Sequence, residues 1–322
     1  MGVEPVRIGL LSTANINRHQ LAAQDDAAPF VFAAVGSRDL ARAEAYAHAH
    51  GIARARGSYE ELLADPDLDA VYVALPNALH FEWTMRALAA GKHVLCEKPF
   101  TTRAEQAAEA FDEAERRGLV LMEAFMWRHS RQTTTMMELL PAVGEVQAVH
   151  ATFSFRLTWE PDVRLDKALG GGSLLDVGCY CVSALRLLTG REPDRVEAEA
   201  VLGRGGVDES FAGLLRFGDA MGTFHCGFRS EHRSIVVVGA EGELRAPDPW
   251  HSSESRVWLN GEEHAAAPES PYRLQLENFA RAVRGEAKPL LGRADAVGQA
   301  ATLGALLGSA ATRARAPRRS RG

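Results

Sequence analysis

Short apolar runs and longer amphipathic stretches alternate over the first third of the chain. Apolar runs of strand length occupy residues 6–11, 31–35, 70–75, 93–96 and 119–123, and helical patterns lie between them. This alternation predicts parallel strands joined by crossover helices. We therefore expect an α/β domain with a doubly wound parallel sheet, whose ligands bind at the carboxyl ends of the strands.

Local end signals support the predicted helices. Ser58 with Glu61, and Thr102 with Glu105, have the spacing of capping boxes at helix starts. Gly51 follows the alanine-rich pattern of residues 40–50 and is a candidate C′ glycine.

The pattern changes beyond about Phe125. Strand-like segments at 147–155, 195–202, 212–217 and 234–238 follow one another, as is typical of antiparallel strands. Helical patterns occur near 172–189, 273–284 and 294–311.

These patterns divide the chain into three parts. We predict the doubly wound domain over residues 1–124 and an α+β domain with a largely antiparallel open sheet over residues 125–312. The last ten residues, 313–322, hold five arginines and are expected to form a disordered basic tail rather than a binding arm.

Composition narrows the classes of function. With 322 residues, 46% of them hydrophobic, the chain can bury a core in each of two domains. A net charge of -6 gives no electrostatic reason to bind nucleic acid or an anionic membrane. No apolar stretch of membrane-spanning length and no signal peptide is present, so we expect a cytoplasmic protein with a small-molecule partner.

The cysteines and histidines do not suggest a metal centre or a disulfide framework. The four cysteines form no CxxC pair, and the 11 histidines form no HExxH pattern. We expect reduced thiols and no metal. No Gly-x-Ser-x-Gly elbow of a serine hydrolase occurs either.

The turn after the first strand has the position of a dinucleotide fingerprint. Such a turn needs small residues so that the backbone can approach a pyrophosphate. Ser12, Ala14 and Asn17 occupy the three positions where glycines are usual. This degenerate fingerprint alone is weak, and an ordinary polar turn is the simpler interpretation.

The end of the second strand indicates which dinucleotide is bound. Ser37 and Arg38 lie there, where the ribose is usually recognised. A serine and an arginine suit a 2′-phosphate, because the guanidinium can form two charge-assisted hydrogen bonds. We therefore expect NADP(H), although Asp39 is one residue away and could serve NAD(H).

Three further segments carry a resemblance to a known family. They are Cys96-Glu97-Lys98-Pro99 after the fourth strand, Pro76-Asn77-Ala78-Leu79-His80, and the run from Gly170 to Tyr180. Together they resemble the glucose-fructose oxidoreductase, inositol dehydrogenase and MocA (Gfo/Idh/MocA) family over nearly the whole chain. The segment 122–128 is most similar to the branch that includes dihydrodiol dehydrogenase and NADP-dependent xylose dehydrogenase.

The resemblance implies a Rossmann domain that binds NAD(P), followed by an open antiparallel sheet often used for oligomerisation. It implies oxidation or reduction of a sugar, cyclic polyol or diol, and a homo-dimer or homo-tetramer formed through the C-terminal sheet. The residues expected at the cofactor are Ser12, Thr13, Ala14, Asn15, Ile16, Ser37, Arg38, Leu75, Pro76, Asn77, His80, Glu97 and Lys98.

The chemistry of alcohol oxidation favours the same region as the catalytic centre. A hydroxyl proton must be accepted and returned as hydride leaves the carbon. Tyr180 could do so if its pKa, ordinarily about 10, were lowered by a cation such as Lys98. Asp176 is four residues before Tyr180, which places both on one face of a helix. We predict Lys98, Tyr180 and Asp176 as catalytic residues.

Several alternatives stay open at this point. His80 could orient the cofactor or merely pack, and Arg128 and Arg164 could line a sugar site or be solvated. The chain could also be a regulator that binds a cofactor or sugar without turnover, or a sugar hydrolase or lyase with a resident NAD.

Overall fold

The computed structural model describes residues 4–158, 162–250, 255–265 and 268–315. The last helix continues to Arg315, so it extends into the segment predicted to be a basic tail. The rest of that segment lies outside the described residues.

A six-stranded parallel sheet forms the first part of the structure. The strand order is β3-β2-β1-β4-β5-β6, as expected for a doubly wound fold. The strands are β1 (Val6–Leu11), β2 (Phe30–Gly36), β3 (Arg54–Arg56), β4 (Ala70–Val73), β5 (His93–Glu97) and β6 (Leu121–Ala124). Every residue of β4 is buried, because helices cover both faces of such a sheet.

The crossover helices begin and end close to the predicted signals. They are α1 (Asn17–Leu21), α2 (Leu40–His50), α3 (Tyr59–Leu63), α4 (His80–Ala89) and α5 (Ala104–Arg116). Gly51 ends α2 in the left-handed conformation, and the Ser58 hydroxyl accepts the backbone N–H of Glu61 at the start of α3. The C′ glycine and the serine cap are therefore confirmed.

An eight-stranded mixed sheet forms the second part. The strands are β7 (Val146–Ser154), β8 (Arg195–Leu202), β9 (Asp208–Phe217), β10 (Ala220–Gly227), β11 (His232–Gly239), β12 (Glu243–Pro247), β13 (Arg256–Leu259) and β14 (Glu262–Ala265). Their order is β14-β13-β12-β11-β7-β10-β9-β8. The pair β7 and β10 is parallel, and the other neighbouring pairs are antiparallel. The predicted α/β and α+β fold class is confirmed.

Four more helices complete the described chain: α6 (Arg131–Leu139), α7 (Cys179–Thr189), α8 (Pro271–Val283) and α9 (Arg293–Arg315). A single π-helical turn, Leu174–Gly178, precedes α7. The sequence pattern did not predict α6 or the strands β3, β10, β12, β13 and β14.

The chain divides into two compact units that differ from the predicted boundary. The first combines the described residues up to Thr101 with Glu105–Ser130 and Pro268–Val297. The second contains the described residues of Thr102–Ala104, of Arg131–Ala267 and from Gly298 to Arg315. Helix α8 thus belongs to the first unit, because it packs against α1 and β2. A boundary read from strand patterns could not show this return of the chain.

The eight-stranded sheet has one covered face and one exposed face. Helix α7 packs against β7 and β10. Phe211, Leu215 and Phe217 of β9 are buried, whereas Leu214 is 44% exposed. Met221 on β10 is also exposed, and its partner in the register is Arg216, on the same face as Leu214. The exposed face therefore includes large apolar side chains.

Within the run of three glycines, 170–172, Gly172 is required because its backbone lies against a buried carboxylate. Gly172 has a φ of 121°. A Cβ on Gly172 would lie 2.2 Å from Oδ1 of the buried Asp208 carboxylate. Oδ2 of the same carboxylate accepts the Ser173 hydroxyl at 2.8 Å and the Leu174 N–H at 2.7 Å. Asp208 thus anchors the start of the π-helical turn, and only glycine fits beside it.

None of the helices in the described residues is long and apolar enough to span a bilayer. The four cysteines are free and buried.

We predict that Gly172→Ala destabilises the protein by about 2 kcal/mol or more, since it adds both a clash and an unfavourable φ. The control is Gly190→Ala, because Gly190 also has a positive φ, of 64°, but a Cβ there would meet nothing within 4 Å. This control should lose only about 1 kcal/mol. Thermal unfolding of both variants checks the difference, and equal losses would contradict the role given to Asp208.

Candidate active site

The turn between β1 and α1 is built around Ser12. Its φ is 138°, a conformation that usually requires glycine. The hydroxyl donates to the Ala74 carbonyl at 2.7 Å and accepts the Ala14 N–H at 3.2 Å. Asn17, fully buried, donates its side-chain amide to the Ser12 carbonyl at 2.8 Å. Side-chain hydrogen bonds therefore stabilise a turn conformation that usually depends on glycine.

A cavity of about 540 Å³ opens beside this turn. It lies at the carboxyl ends of β1, β2 and β4, where doubly wound sheets bind ligands. It is lined by Ser12, Thr13, Ala14, Ser37, Arg38, Asp39, Arg42, Tyr59, Ala74, Leu75 and Pro76. Seven of the residues expected at the cofactor are among them: Ser12, Thr13, Ala14, Ser37, Arg38, Leu75 and Pro76.

The end of β2 and the first turn of α2 present a serine and two arginines to the cavity. Ser37 is buried, whereas Arg38 and Arg42 are exposed. Asp39 is the N-cap of α2, and its carboxylate accepts the Arg42 N–H at 3.3 Å. The carboxylate is thus engaged by the helix, while two guanidinium groups four positions apart can meet an anion. These residues fit a nucleotide that carries a phosphate at this edge.

Arg42 and Tyr59 were not predicted as site residues. Arg42 lies in the first turn of α2, whereas Arg38 precedes the N-cap of that helix, so no helical spacing relates the two residues. Tyr59 could not be found from its local pattern, because it follows β3 and reaches the cavity only through the fold.

His80 was expected at the cofactor but is not among the residues that line this cavity. The ring is fully buried, with Nδ1 2.8 Å from the Pro99 carbonyl oxygen and Nε2 2.8 Å from that of Leu75. Burial lowers the pKa of His80 below its usual value, although the two carbonyls oppose this. A neutral imidazole has one N–H to donate. It can therefore donate to only one of these two carbonyls, which come from the chain after β4 and the chain after β5.

Two carboxylates hold the residues that flank Pro99. Oε2 of Glu97 accepts the Lys98 N–H at 3.3 Å, and Oε1 of Glu123 accepts the Phe100 N–H at 2.8 Å. The hydroxyl of Tyr72 donates to Oε1 of Glu97 through a short hydrogen bond. Side chains from β4, β5 and β6 thus converge on the turn that carries Lys98. We name residues 97–100 the Lys98 turn.

The other residues expected at the cofactor also belong to the first unit. Asn15 and Ile16 continue the turn from Ser12 into α1, and Asn77 begins a short helical turn ahead of α4.

Asp176 and Tyr180 belong to the second unit. Asp176 lies in the π-helical turn and Tyr180 in α7, so the regular α-helix assumed from their spacing is interrupted at Asp176. π-Helical turns occur frequently at functional sites.

Asp176 is paired with an arginine that the sequence had left open. Nε of Arg164 donates to Oδ2 of Asp176 at 2.7 Å, and Arg164 also contacts Asp162 at 3.2 Å. Although burial disfavours the charged guanidinium, the two carboxylates raise the pKa of Arg164 above its usual value. Arg164 thus fixes the Asp176 carboxylate, and Asp162 is a supporting residue that the sequence did not reveal.

Tyr180 is buried in an aromatic cluster. Its ring lies edge-on to Phe153, with centroids 5.2 Å apart, and to Trp250 at 5.8 Å. The indole N–H of Trp250 donates to the Thr152 carbonyl at 2.8 Å. The cluster therefore restrains the Tyr180 ring.

Arg128, the other arginine left open, forms an ion pair in the first unit. Nη1 of Arg128 lies 3.1 Å from Oδ1 of Asp295 at the start of α9.

Two protein-family models match this chain, one over the parallel sheet and one over part of the eight-stranded sheet. Residues 6–125 match the GFO_IDH_MocA model, described as an oxidoreductase family with an NAD-binding Rossmann fold. Residues 141–245 match the GFO/IDH/MocA C-terminal domain.

Two named relatives align over most of their length. D-xylose 1-dehydrogenase (NADP(+)) 2 from Haloferax volcanii is 41% identical, covering 94% of this chain and 97% of that protein. Trans-1,2-dihydrobenzene-1,2-diol dehydrogenase from Oryctolagus cuniculus is 36% identical, covering 76% of each chain.

A solved structure shares the whole architecture. KijD10, a 3-ketoreductase from Actinomadura kijaniata in complex with NADP and TDP-benzene, superposes with a TM-score of 0.89 at 31% identity. The superposition covers 95% of this chain and 98% of KijD10. On these matches and the geometry above, the chain belongs to the GFO/IDH/MocA family of oxidoreductases with an NAD-binding Rossmann fold.

Proposed function

We propose that this oxidoreductase transfers a hydride between NADP(H) and a carbon that bears a hydroxyl or carbonyl group in a sugar, cyclic polyol or diol. The observation that carries the proposal is the cavity beside Ser12, with Arg38 and Arg42 at its edge. The named relatives support the substrate class, since one is a D-xylose dehydrogenase and another a dihydrobenzenediol dehydrogenase.

The preference for NADP over NAD follows from charge at the end of β2. An NAD-specific site would use a free carboxylate there to accept the ribose hydroxyls. Here Asp39 caps α2, and two exposed guanidinium groups offer charge-assisted hydrogen bonds to a 2′-phosphate. NADP in the name of one relative and in the KijD10 structure supports this assignment.

The catalytic roles proposed for Lys98, Tyr180 and Asp176 concern the proton. The bound nicotinamide supplies or accepts the hydride. Tyr180 and Lys98 accept the substrate hydroxyl proton during oxidation and return it during reduction. Asp176, fixed by Arg164, orients a substrate hydroxyl. The predicted cytoplasmic location stays a prediction.

Binding and turnover measurements test this function. NADPH and NADH are titrated by fluorescence, and pentoses, hexoses, their keto forms and dihydrodiols are then assayed through nicotinamide absorbance. NADP-linked turnover on one of these classes supports the proposal. Tight binding of cofactor without turnover on any class would contradict it and favour a regulator.

Arg38→Ala and Arg42→Ala should each weaken NADPH binding about 10- to 100-fold, because each removes a charge-assisted contact with the phosphate. NADH binding should change less than about twofold, since NADH lacks that phosphate. Arg293→Ala is the matched control, because Arg293 pairs with Asp112 at an exposed site of the same unit. Equal losses for both dinucleotides would refute the 2′-phosphate assignment.

Lys98→Met should lower kcat by about 10²-fold or more, the usual contribution of acid-base catalysis. The dissociation constant of NADPH should stay within a few-fold of the wild-type value. Steady-state rates and fluorescence titration separate the two effects. An unchanged kcat would remove Lys98 from the proton relay.

A second copy of this chain is the proposed occupant of the exposed sheet face. Leu214 and Met221 are 44% and 38% exposed on this face, and Val201 is 51% exposed; its partner in the register is Ser210, on the same face. Apolar side chains gathered on an open sheet favour self-association.

Leu214→Glu should therefore convert the oligomer to a monomer in sedimentation velocity, because it places charge in the contact. Leu290→Glu is the control, since Leu290 is 50% exposed in the other unit. A wild-type monomer, or an oligomer that persists in Leu214→Glu, would contradict this assembly.

A further inference from the structure

Tyr72 is a tyrosine in a place where packing requires only an apolar residue. It lies in β4, whose four residues are all buried, and it is fully inaccessible. A phenylalanine would fill the same space. The hydroxyl must therefore be explained by what it contacts, because a buried polar group costs free energy unless it is hydrogen-bonded.

The Tyr72 hydroxyl is the middle of a hydrogen-bonded chain. The side-chain amide of Gln20 in α1, also fully buried, donates to the hydroxyl at 3.0 Å. The hydroxyl donates in turn to Oε1 of Glu97. The other oxygen of that carboxylate accepts the Lys98 N–H at 3.3 Å. The chain thus connects a helix beneath the sheet to the backbone of Lys98.

The direction of this chain is fixed because Tyr72 stays protonated. Burial, followed by the negative charge of Glu97, raises the pKa of Tyr72 well above its usual value. The hydroxyl is therefore a permanent donor to Glu97, and it favours the ionised carboxylate. Glu97 in turn stays where it can hold the backbone of the Lys98 turn.

We propose that Tyr72 is a positioning residue for the proton relay, which acts by holding the Glu97 carboxylate against the Lys98 turn. The inference rests on the proposed function of Lys98. Glu97 then has a role beyond any contact with the cofactor. It influences the protonation state and the position of the Lys98 side chain.

Other ionisable groups border this chain and set its electrostatic background. Tyr272 in α8 is close enough that burial and then the Glu97 charge raise its pKa. His80 faces the turn through Pro99, and Glu123 holds Phe100. Arg18 acts on Tyr272, the ring of His19 stacks on Tyr272, and the charges of Glu123 and Glu97 act on Cys96.

Tyr72→Phe removes the hydroxyl and keeps the ring. The Glu97 carboxylate then loses a donor, so its negative charge is less compensated and acts more strongly on the side chain of the next residue, Lys98. The pKa of Lys98 should rise, and the pH profile of kcat should move to higher pH by about half a pH unit or more. We expect kcat at neutral pH to fall about tenfold through misplacement of the lysine, with NADPH affinity unchanged.

Three further substitutions test whether Tyr72→Phe acts by displacing Glu97 or by a general loosening of the core. Thr84→Val is the matched control, because it removes another fully buried hydroxyl from the same unit, beside Cys96 and away from Glu97. In a Glu97→Gln background, Tyr72→Phe should no longer change the pKa of Lys98, because the carboxylate charge that the Tyr72 hydroxyl holds in place has been removed. Gln20→Leu should raise the pKa of Lys98 as Tyr72→Phe does, but by a smaller amount.

The decisive readout is the pH dependence of Lys98 acetylation, measured by mass spectrometry on the intact protein with acetic anhydride as the probe. A higher Lys98 pKa in Tyr72→Phe, absent from Thr84→Val and from the Glu97→Gln background, supports the proposal. An unchanged pKa, or the same shift in Thr84→Val, overturns it. Because labelling requires no turnover, an inactive wild-type enzyme with this response would contradict the proposed function while still supporting the link from Tyr72 to Lys98.

Discussion

The first unit depends on how its sheet holds the Lys98 turn. Three consecutive residues after β5 each have a backbone group paired with a buried or half-buried side chain: Lys98 with Glu97, Pro99 with His80, and Phe100 with Glu123. Leaving one such group unpaired would cost about 1 to 3 kcal/mol. The turn is therefore held by β5, β6 and α4 together, and Lys98 is presented by a rigid support rather than by a mobile loop.

The same principle operates at the opposite edge of β4. Ser12 keeps a backbone conformation suited to glycine because its hydroxyl bridges to Ala74 and its carbonyl is held by Asn17. A fingerprint that looked degenerate as a pattern is thus a turn stabilised by hydrogen bonds. This leaves the adjacent cavity open at the carboxyl ends of the strands, where phosphate groups are usually bound.

Much of the fold could be predicted from local pattern, and the site only partly. Five of the six strands of the parallel sheet coincide with apolar runs, and Gly51 and Ser58 mark helix ends by local chemistry, so the local pattern was sufficient to predict these elements. Tyr72 and Glu123 were missed because their roles arise from neighbours distant in sequence: Tyr72 meets Glu97 across 25 positions and Glu123 meets Phe100 across 23. The return of α8 to the first unit was missed for the same reason. An amphipathic pattern indicates that a helix packs against the rest of the protein, but it does not identify the elements that the helix contacts.

The proposed function requires that hydride pass directly between substrate and NADP. The most direct test uses the sugar or diol found by the screen, deuterated at the reacting carbon, with NADP⁺ and wild-type enzyme. If hydride transfer is direct, the NADPH that is formed carries the deuterium, and mass spectrometry detects deuterated NADPH and oxidised product in equal amounts. Substrate that is altered without deuterium entering the pool of free nicotinamide would contradict it and indicate a hydrolase or lyase with a resident cofactor.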